Sequence, residues 1–147
     1  MNMIEIYTDG ACHGNPGPGG WGALLEIEGE TRELFGGEPQ TTNNRMEMMA
    51  AVQALQTLPI GSAVTLYTDS QYLRKGIDIW INAWKRNGWQ TKQKNSVKNK
   101  DLWEKLDTLK SQHKIRWKWV KGHAKSVGNQ RADQLAKIGL LTDGRRK

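Results

Sequence analysis

Met3-Ile4-Glu5-Ile6-Tyr7-Thr8-Asp9 decides the fold, because Ala63-Val64-Thr65-Leu66-Tyr67-Thr68-Asp69 answers it sixty residues later. Both runs are short and β-rich, and both end in Tyr-Thr-Asp. Ile4 and Ile6 alternate with Glu5, the period of a strand with one buried face. If the two strands are neighbours pointing the same way, Asp9 and Asp69 emerge side by side at one edge of a sheet. Adjacent carboxylates repel, so such a pair holds a cation or shares a proton. The glycine-rich run from Gly10 to Gly20 reads as a turn after the first strand.

Whether the strands are parallel depends on what lies between them. Trp21 to Glu28 reads as a second strand, Gly29 as a tight turn, and about Thr31 to Phe35 as a third strand. Connections this brief make an antiparallel meander. Glu26, Glu28, Glu30 and Glu33 then fall as solvated charges. Thr41-Thr42-Asn43-Asn44 is a cluster of helix-capping residues. Arg45 to Leu58 is rich in helix formers, and Pro59 stops it. A helix in that place is a crossover, and a crossover makes the flanking strands parallel. Asp9 and Asp69 then share the carboxyl edge of the sheet, where open α/β sheets place ligands.

Glu47 shares a helix face with Ala50, Ala51, Ala54 and Leu58. That small apolar face packs on the sheet and carries Glu47 towards it. Asn44 and Glu47 also match a capping box, and by spacing alone capping is the commoner role.

Beyond Asp69, Ser70 can cap a short helix from Gln71 to Lys75, with Gly76 as its terminator. Asp78 can cap the next, through Trp80, Ile81 and Trp84 to Arg86. Asn87-Gly88 ends it, and Trp89 to Lys100 is a polar, basic loop. Core packing and exposure weigh evenly for Trp84. Trp89, among lysines, is expected at the surface. Asp101 to Gln112 is an amphipathic helix with Leu102, Trp103, Leu106 and Leu109 inward. Lys114 to Lys121 alternates strictly as a last strand. A polar loop carries His123, and Asn129 can cap a final helix from Gln130 to about Leu141 that bears Asp133. The elements amount to one α/β domain, residues 1–141, with a five-stranded mixed sheet flanked by helices. Residues 142–147 are expected to form a flexible tail.

Charge divides the chain. Residues 1–73 hold two basic side chains, Arg32 and Arg45, against nine acidic ones, whereas residues 74–147 hold twenty basic against six acidic. A solvated surface mixes both signs, so this concentration favours a polyanionic partner, nucleic acid foremost. Aromatics among the lysines of the arm suit stacking on sugars or bases while phosphates are neutralised. No stretch approaches a membrane span or a secretory signal. The single Cys12 rules out an internal disulfide and makes the cytoplasm the expected compartment.

Asp9, Glu47, Asp69 and Asp133 form a set of oxygen donors without a cysteine or histidine cluster, which suits hard ions such as Mg²⁺. Two such ions can activate a water and stabilise the leaving oxygen of a phosphodiester. His123, in a Gly-flanked loop, is placed to shuttle protons rather than to bind metal.

Tyr7-Thr8-Asp9-Gly10-Ala11 with Asn15-Pro16-Gly17, Thr42-Asn43-Asn44-Arg45-Met46-Glu47, Thr68-Asp69-Ser70-Gln71-Tyr72 and Val120-Lys121-Gly122-His123 resemble bacterial type 1 ribonuclease H. The likeness runs in order from the first strand to about Leu141. It implies endonucleolytic hydrolysis of the RNA strand of RNA–DNA hybrids, leaving 3′-hydroxyl and 5′-phosphate ends, with a role in removing RNA primers and R-loops. It implies two Mg²⁺ ions, replaceable by Mn²⁺, on Asp9, Glu47, Asp69 and Asp133, and a catalytic or product-release role for His123. Its substrate contacts map to Cys12, Asn15, Asn43 and Gln71 on the RNA strand and to Thr42 on a DNA phosphate. The arm with Trp80, Trp84, Lys85, Arg86 and Trp89 would grip the DNA strand. A monomer is expected, with a single-strand-binding protein as a conceivable partner. Two departures stand out: Lys125 replaces a frequent glycine, and Gln130 replaces an acid near Asp133. A DNA-directed nuclease of the same fold and a non-catalytic hybrid-binding module are the competing expectations. The amide set and basic arm weigh against the former, and the intact acids against the latter.

Overall fold

The computed structural model describes residues 4–91, 97–120 and 126–144. Its sheet is five-stranded: β1 (Ile4–Cys12), β2 (Gly17–Ile27), β3 (Glu30–Thr41), β4 (Ala63–Thr68) and β5 (Lys114–Trp119), in the order β3-β2-β1-β4-β5. β1, β2 and β3 pair antiparallel, and β4 and β5 run parallel to β1. The helices are α1 (Asn43–Gln56), α2 (Gln71–Lys75), α3 (Ile81–Arg86), α4 (Lys100–Gln112) and α5 (Val127–Gly139).

The register puts Ile4 beside Val64 and Tyr7 beside Tyr67, so the two Tyr-Thr-Asp runs end level with one another. Ile4, Ile6, Val64 and Leu66 face one side and bury against α1 and α4, whose Met48, Leu55, Trp103 and Leu106 complete the main core. On the opposite side α5 packs over β1, β2 and β3.

Several local expectations change. The glycine run is mostly strand: β1 continues to Cys12 and β2 already begins at Gly17. A side chain at Gly22 would strike the Ala132 carbonyl of α5, so the absent Cβ serves close helix–sheet packing rather than turning. β3 runs past Phe35 to Thr41. Gly76 keeps right-handed helical dihedrals (φ −63, ψ −47) and does not end the helix. A π-helical turn, Gly76–Trp80, instead joins α2 to α3, and Asp78 lies within it, 4.0 Å from Arg74, rather than capping. Ser126, not Asn129, caps α5 by accepting the Asn129 N–H. Leu140–Gly144, which runs from the end of the expected final helix into the expected tail, forms a further π-helical turn whose Gly144 is buried. No helix among the described residues is long and apolar enough to cross a membrane.

Candidate active site

The carboxyl edge of β1 and β4 opens into a polar cleft of about 400 Å³ lined by Asp9, Asn43, Glu47, Asp69, Gln71 and Asp133, among others. Asp9, Glu47 and Asp69 each offer an oxygen, and these atoms lie within 4.8 Å of one another. Asp9 reaches the edge because β1 carries it there, and its Oδ1 accepts the Gly10 N–H at 2.9 Å. Glu47 arrives from α1. A Cβ at Gly10 would stand 2.7 Å from the Glu47 backbone nitrogen, so only glycine lets the helix come this close.

The capping box does not form. Thr42 caps α1 by accepting the Arg45 N–H at 3.2 Å, which leaves Glu47 beyond the first positions and buried (4 % exposed). Its Oε2 is buried without a hydrogen-bond partner. Burial, with the charges of Asp9 and then Asp69 beside it, holds the Glu47 carboxyl well above the ordinary glutamate range. An orphaned buried carboxylate oxygen beside two further acids fits a hard divalent cation: oxygen donors only, and like charge in want of neutralisation.

Asp133 faces the same cleft from α5 but stands outside that tight trio, and its Oδ2 lies 3.1 Å from Lys137. His123, Lys125 and the arm lysines Lys92 and Lys94 fall outside the described residues. The Asn15–Pro16 bond is cis, and Asn15 Oδ1 accepts the Asn43 N–H at 3.0 Å, tying the β1–β2 turn to the head of α1. The Cys12 thiol points to the Gly17 and Thr41 carbonyls at 3.6 and 3.4 Å, and burial pushes its pKa up. An S–H so engaged offers the cleft no thiolate. Thr42 uses its hydroxyl oxygen as the cap, while Asn43 and Gln71 stand exposed at the rim.

In the arm, Trp80 and Trp84 belong to an aromatic chain with Tyr72 and Trp103, centroids 5.5–5.7 Å apart. Trp89 departs from expectation: half-buried, it packs on the core in a left-handed conformation (φ 62). Lys85 pairs with Asp107 at 3.3 Å, and Arg86 is exposed. Sequence reasoning missed Arg45, one of two basic residues in the acidic half. Its guanidinium binds Glu38, Asn99 and Asp101 and so locks the head of α1 to β3 and α4. Isolation among acids was the available signal. Asn44 and Tyr72 also line the cleft, and their only signal is adjacency to Asn43 and Gln71.

This mixed sheet is of the ribonuclease H type. The crystal structure of LC9-RNase H1, described as a type 1 RNase H with the type 2 active-site motif, superposes with a TM-score of 0.84 at 30% identity, covering 96% of this chain and 73% of that one. LC11-RNase H1, solved in complex with RNA/DNA hybrid, shares the fold at a TM-score of 0.69 and 24% identity over 94% of this chain and 96% of that one. The protein named Ribonuclease H from Maricaulis maris is 61% identical over 141 residues, 95% of each chain. The RNase H family model matches residues 1–140, and the chain belongs to the RNase H family.

Proposed function

We propose that this protein is an endonuclease that hydrolyses the RNA strand of RNA–DNA hybrids, leaving 3′-hydroxyl and 5′-phosphate ends, and that it serves to remove RNA primers and R-loops in the cytoplasm. The observation that carries this is the Asp9–Glu47–Asp69 trio with its orphaned Glu47 oxygen, set in a cleft rimmed by amide side chains. Membership of the family and a relative solved with RNA/DNA hybrid support the substrate.

Asp9, Glu47, Asp69 and Asp133 would hold two Mg²⁺ ions, with Mn²⁺ able to replace them. Bound there, the ions would supply an activated water and charge stabilisation at the leaving oxygen. The rest falls to the chain. Asn43 and Gln71, with Asn15 and the backbone near Cys12, offer donors and acceptors to the 2′-hydroxyl, the one local group that tells RNA from DNA. Thr42, at the head of α1, would meet a DNA phosphate at the positive end of the helix dipole. The arm with Trp80, Trp84, Lys85, Arg86 and Trp89 holds the DNA strand by apolar contact and charge. His123 would move a proton at the leaving oxygen or the product phosphate. The protein acts as a monomer.

Cleavage of matched hybrid, duplex DNA and duplex RNA, with Mg²⁺ and after chelation, tests this. RNA-strand cutting in the hybrid alone, lost on chelation, is expected. Equal cutting of all three duplexes, or an intact hybrid with metal present, would overturn it.

A further inference from the structure

We propose that the solvent face of β5 is a second track for the duplex phosphate backbone, running from the cleft away from the helical arm. This rests on the nucleic-acid reading above. β5 alternates strictly: Ile115, Trp117 and Trp119 pack on the core side, while Lys114, Arg116 and Lys118 are exposed on the other. On that face α5 packs over β1, β2 and β3, and Ala63, Lys114, Arg116 and Lys118 beyond it stay open to solvent.

The charge there is not tied up in ion pairs. None of the three cations has an ion-pair partner among the described residues. Arg116 lies in register with Thr65, and Thr65 with Glu5, the nearest carboxylate on this face of the sheet. The Glu5 Oε2 accepts the hydroxyls of Tyr7 at 2.9 Å and Tyr67 at 3.1 Å, and neither Glu5 nor Glu26, in register with it on β2, ion-pairs with the three cations. Three like charges on alternate residues make a straight stripe about 13 Å long. Three cations so spaced can neutralise about three phosphates of one duplex strand. Lys118 sits opposite Tyr67, two residues before Asp69, so the stripe ends where the cleft begins. Charge complementarity and this continuity select a nucleic-acid backbone as occupant.

Lysine on an edge strand can also serve only to block strand pairing. The two roles separate experimentally. The triple variant Lys114→Gln/Arg116→Gln/Lys118→Gln, changed only at exposed positions, is compared with the parent for metal-free binding of a long hybrid across a salt series, and for kcat and KM. We expect the slope of log affinity on log salt to become shallower by about 2–3, and KM to rise about 10-fold at unchanged kcat. Hybrids trimmed to end near the cut site should bind both proteins alike. An unchanged salt slope overturns the track, and self-association of the variant alongside it assigns the stripe to edge protection. Stripe-dependent binding of duplexes without hybrid cleavage would keep the track and overturn the nuclease reading instead.

Discussion

β1 carries two carboxylates four residues apart, and the protein treats them in opposite ways. Glu5 is satisfied: two tyrosine hydroxyls donate to one oxygen, and their rings stack at 4.7 Å, 9° from parallel. Asp9 is pressed against Glu47 and Asp69, and Glu47 keeps a buried oxygen without a donor. The fold thus gives an acid on this strand hydroxyl donors, whereas at the carboxyl edge it crowds three acids and raises the Glu47 pKa well above the ordinary glutamate range. Crowded acids at one end, one of them held protonated above its ordinary range, and a hydrogen-bonded acid at the other are the contrast expected between a ligand site and a structural one.

The largest effect should follow from breaking the acidic end. Asp9→Asn removes one charge of the trio and should lower turnover at least on the order of 10²-fold. The same change should stabilise the metal-free protein, with Tm rising roughly 2–4 °C for each kcal/mol of repulsion relieved. A drop in Tm measured with chelator present would show that the trio is not held under repulsion.

Gly10→Ala tests the approach of α1 without touching a charge. The added Cβ must displace the helix backbone at Glu47, and a shift near 1 Å at a reacting centre costs on the order of 10²-fold in rate. Overpacking of this kind should also cost about 1–3 kcal/mol in denaturant unfolding. Wild-type kcat in this variant would remove close packing at Gly10 from the account.

Glu47→Gln addresses proton linkage. The Glu47 pKa is raised in the fold by burial and by its acidic neighbours, so the folded state binds the proton more tightly than the unfolded chain. Stability of the metal-free wild type should therefore fall as pH climbs from the ordinary glutamate range through the raised value, and return on acidification. The Gln variant should lack that portion of the slope. Identical pH profiles of Tm for the two proteins would contradict the raised pKa.

How far these features were legible depends on how local they are. Strand periodicity and one crossover helix fix the parallel pairing that sets Asp9 beside Asp69, and helical spacing turns Glu47 to the sheet. Features that depend on distant partners were hidden. The capping box looked sound until Thr42 took the cap, and Asn129 looked like a cap although its N–H and Oδ1 both engage the Ser126 hydroxyl. Gly76 reads as a helix terminator, yet tertiary packing carries the helix through it. Arg45 shows nothing in sequence of the three residues from β3 and the start of α4 that it joins. Trp89 among lysines reads as exposed because its core contacts come from elsewhere in the chain.

The smallest effect should come from the satisfied end. Glu5→Gln keeps an acceptor for Tyr7 and Tyr67 but removes its charge. A hydrogen bond to a charged group contributes about 1 kcal/mol more than a neutral one, so Tm should fall only a few degrees and kcat should hold. Titration supplies the sharper signal. Burial first, then the Glu5 hydrogen bond and charge, raise the pKa of both tyrosines, so the folded state keeps those protons after the unfolded chain has lost them. Stability conferred below pH 10 is then withdrawn as pH climbs past the free tyrosine value of about 10. Without the Glu5 charge both tyrosines should ionise at lower pH by ultraviolet difference spectroscopy, and alkaline loss of stability should flatten. A fall in kcat comparable to that of Asp9→Asn would erase the contrast between the two ends of β1, because the acid the fold satisfies would then matter to the reaction as much as those it leaves in conflict.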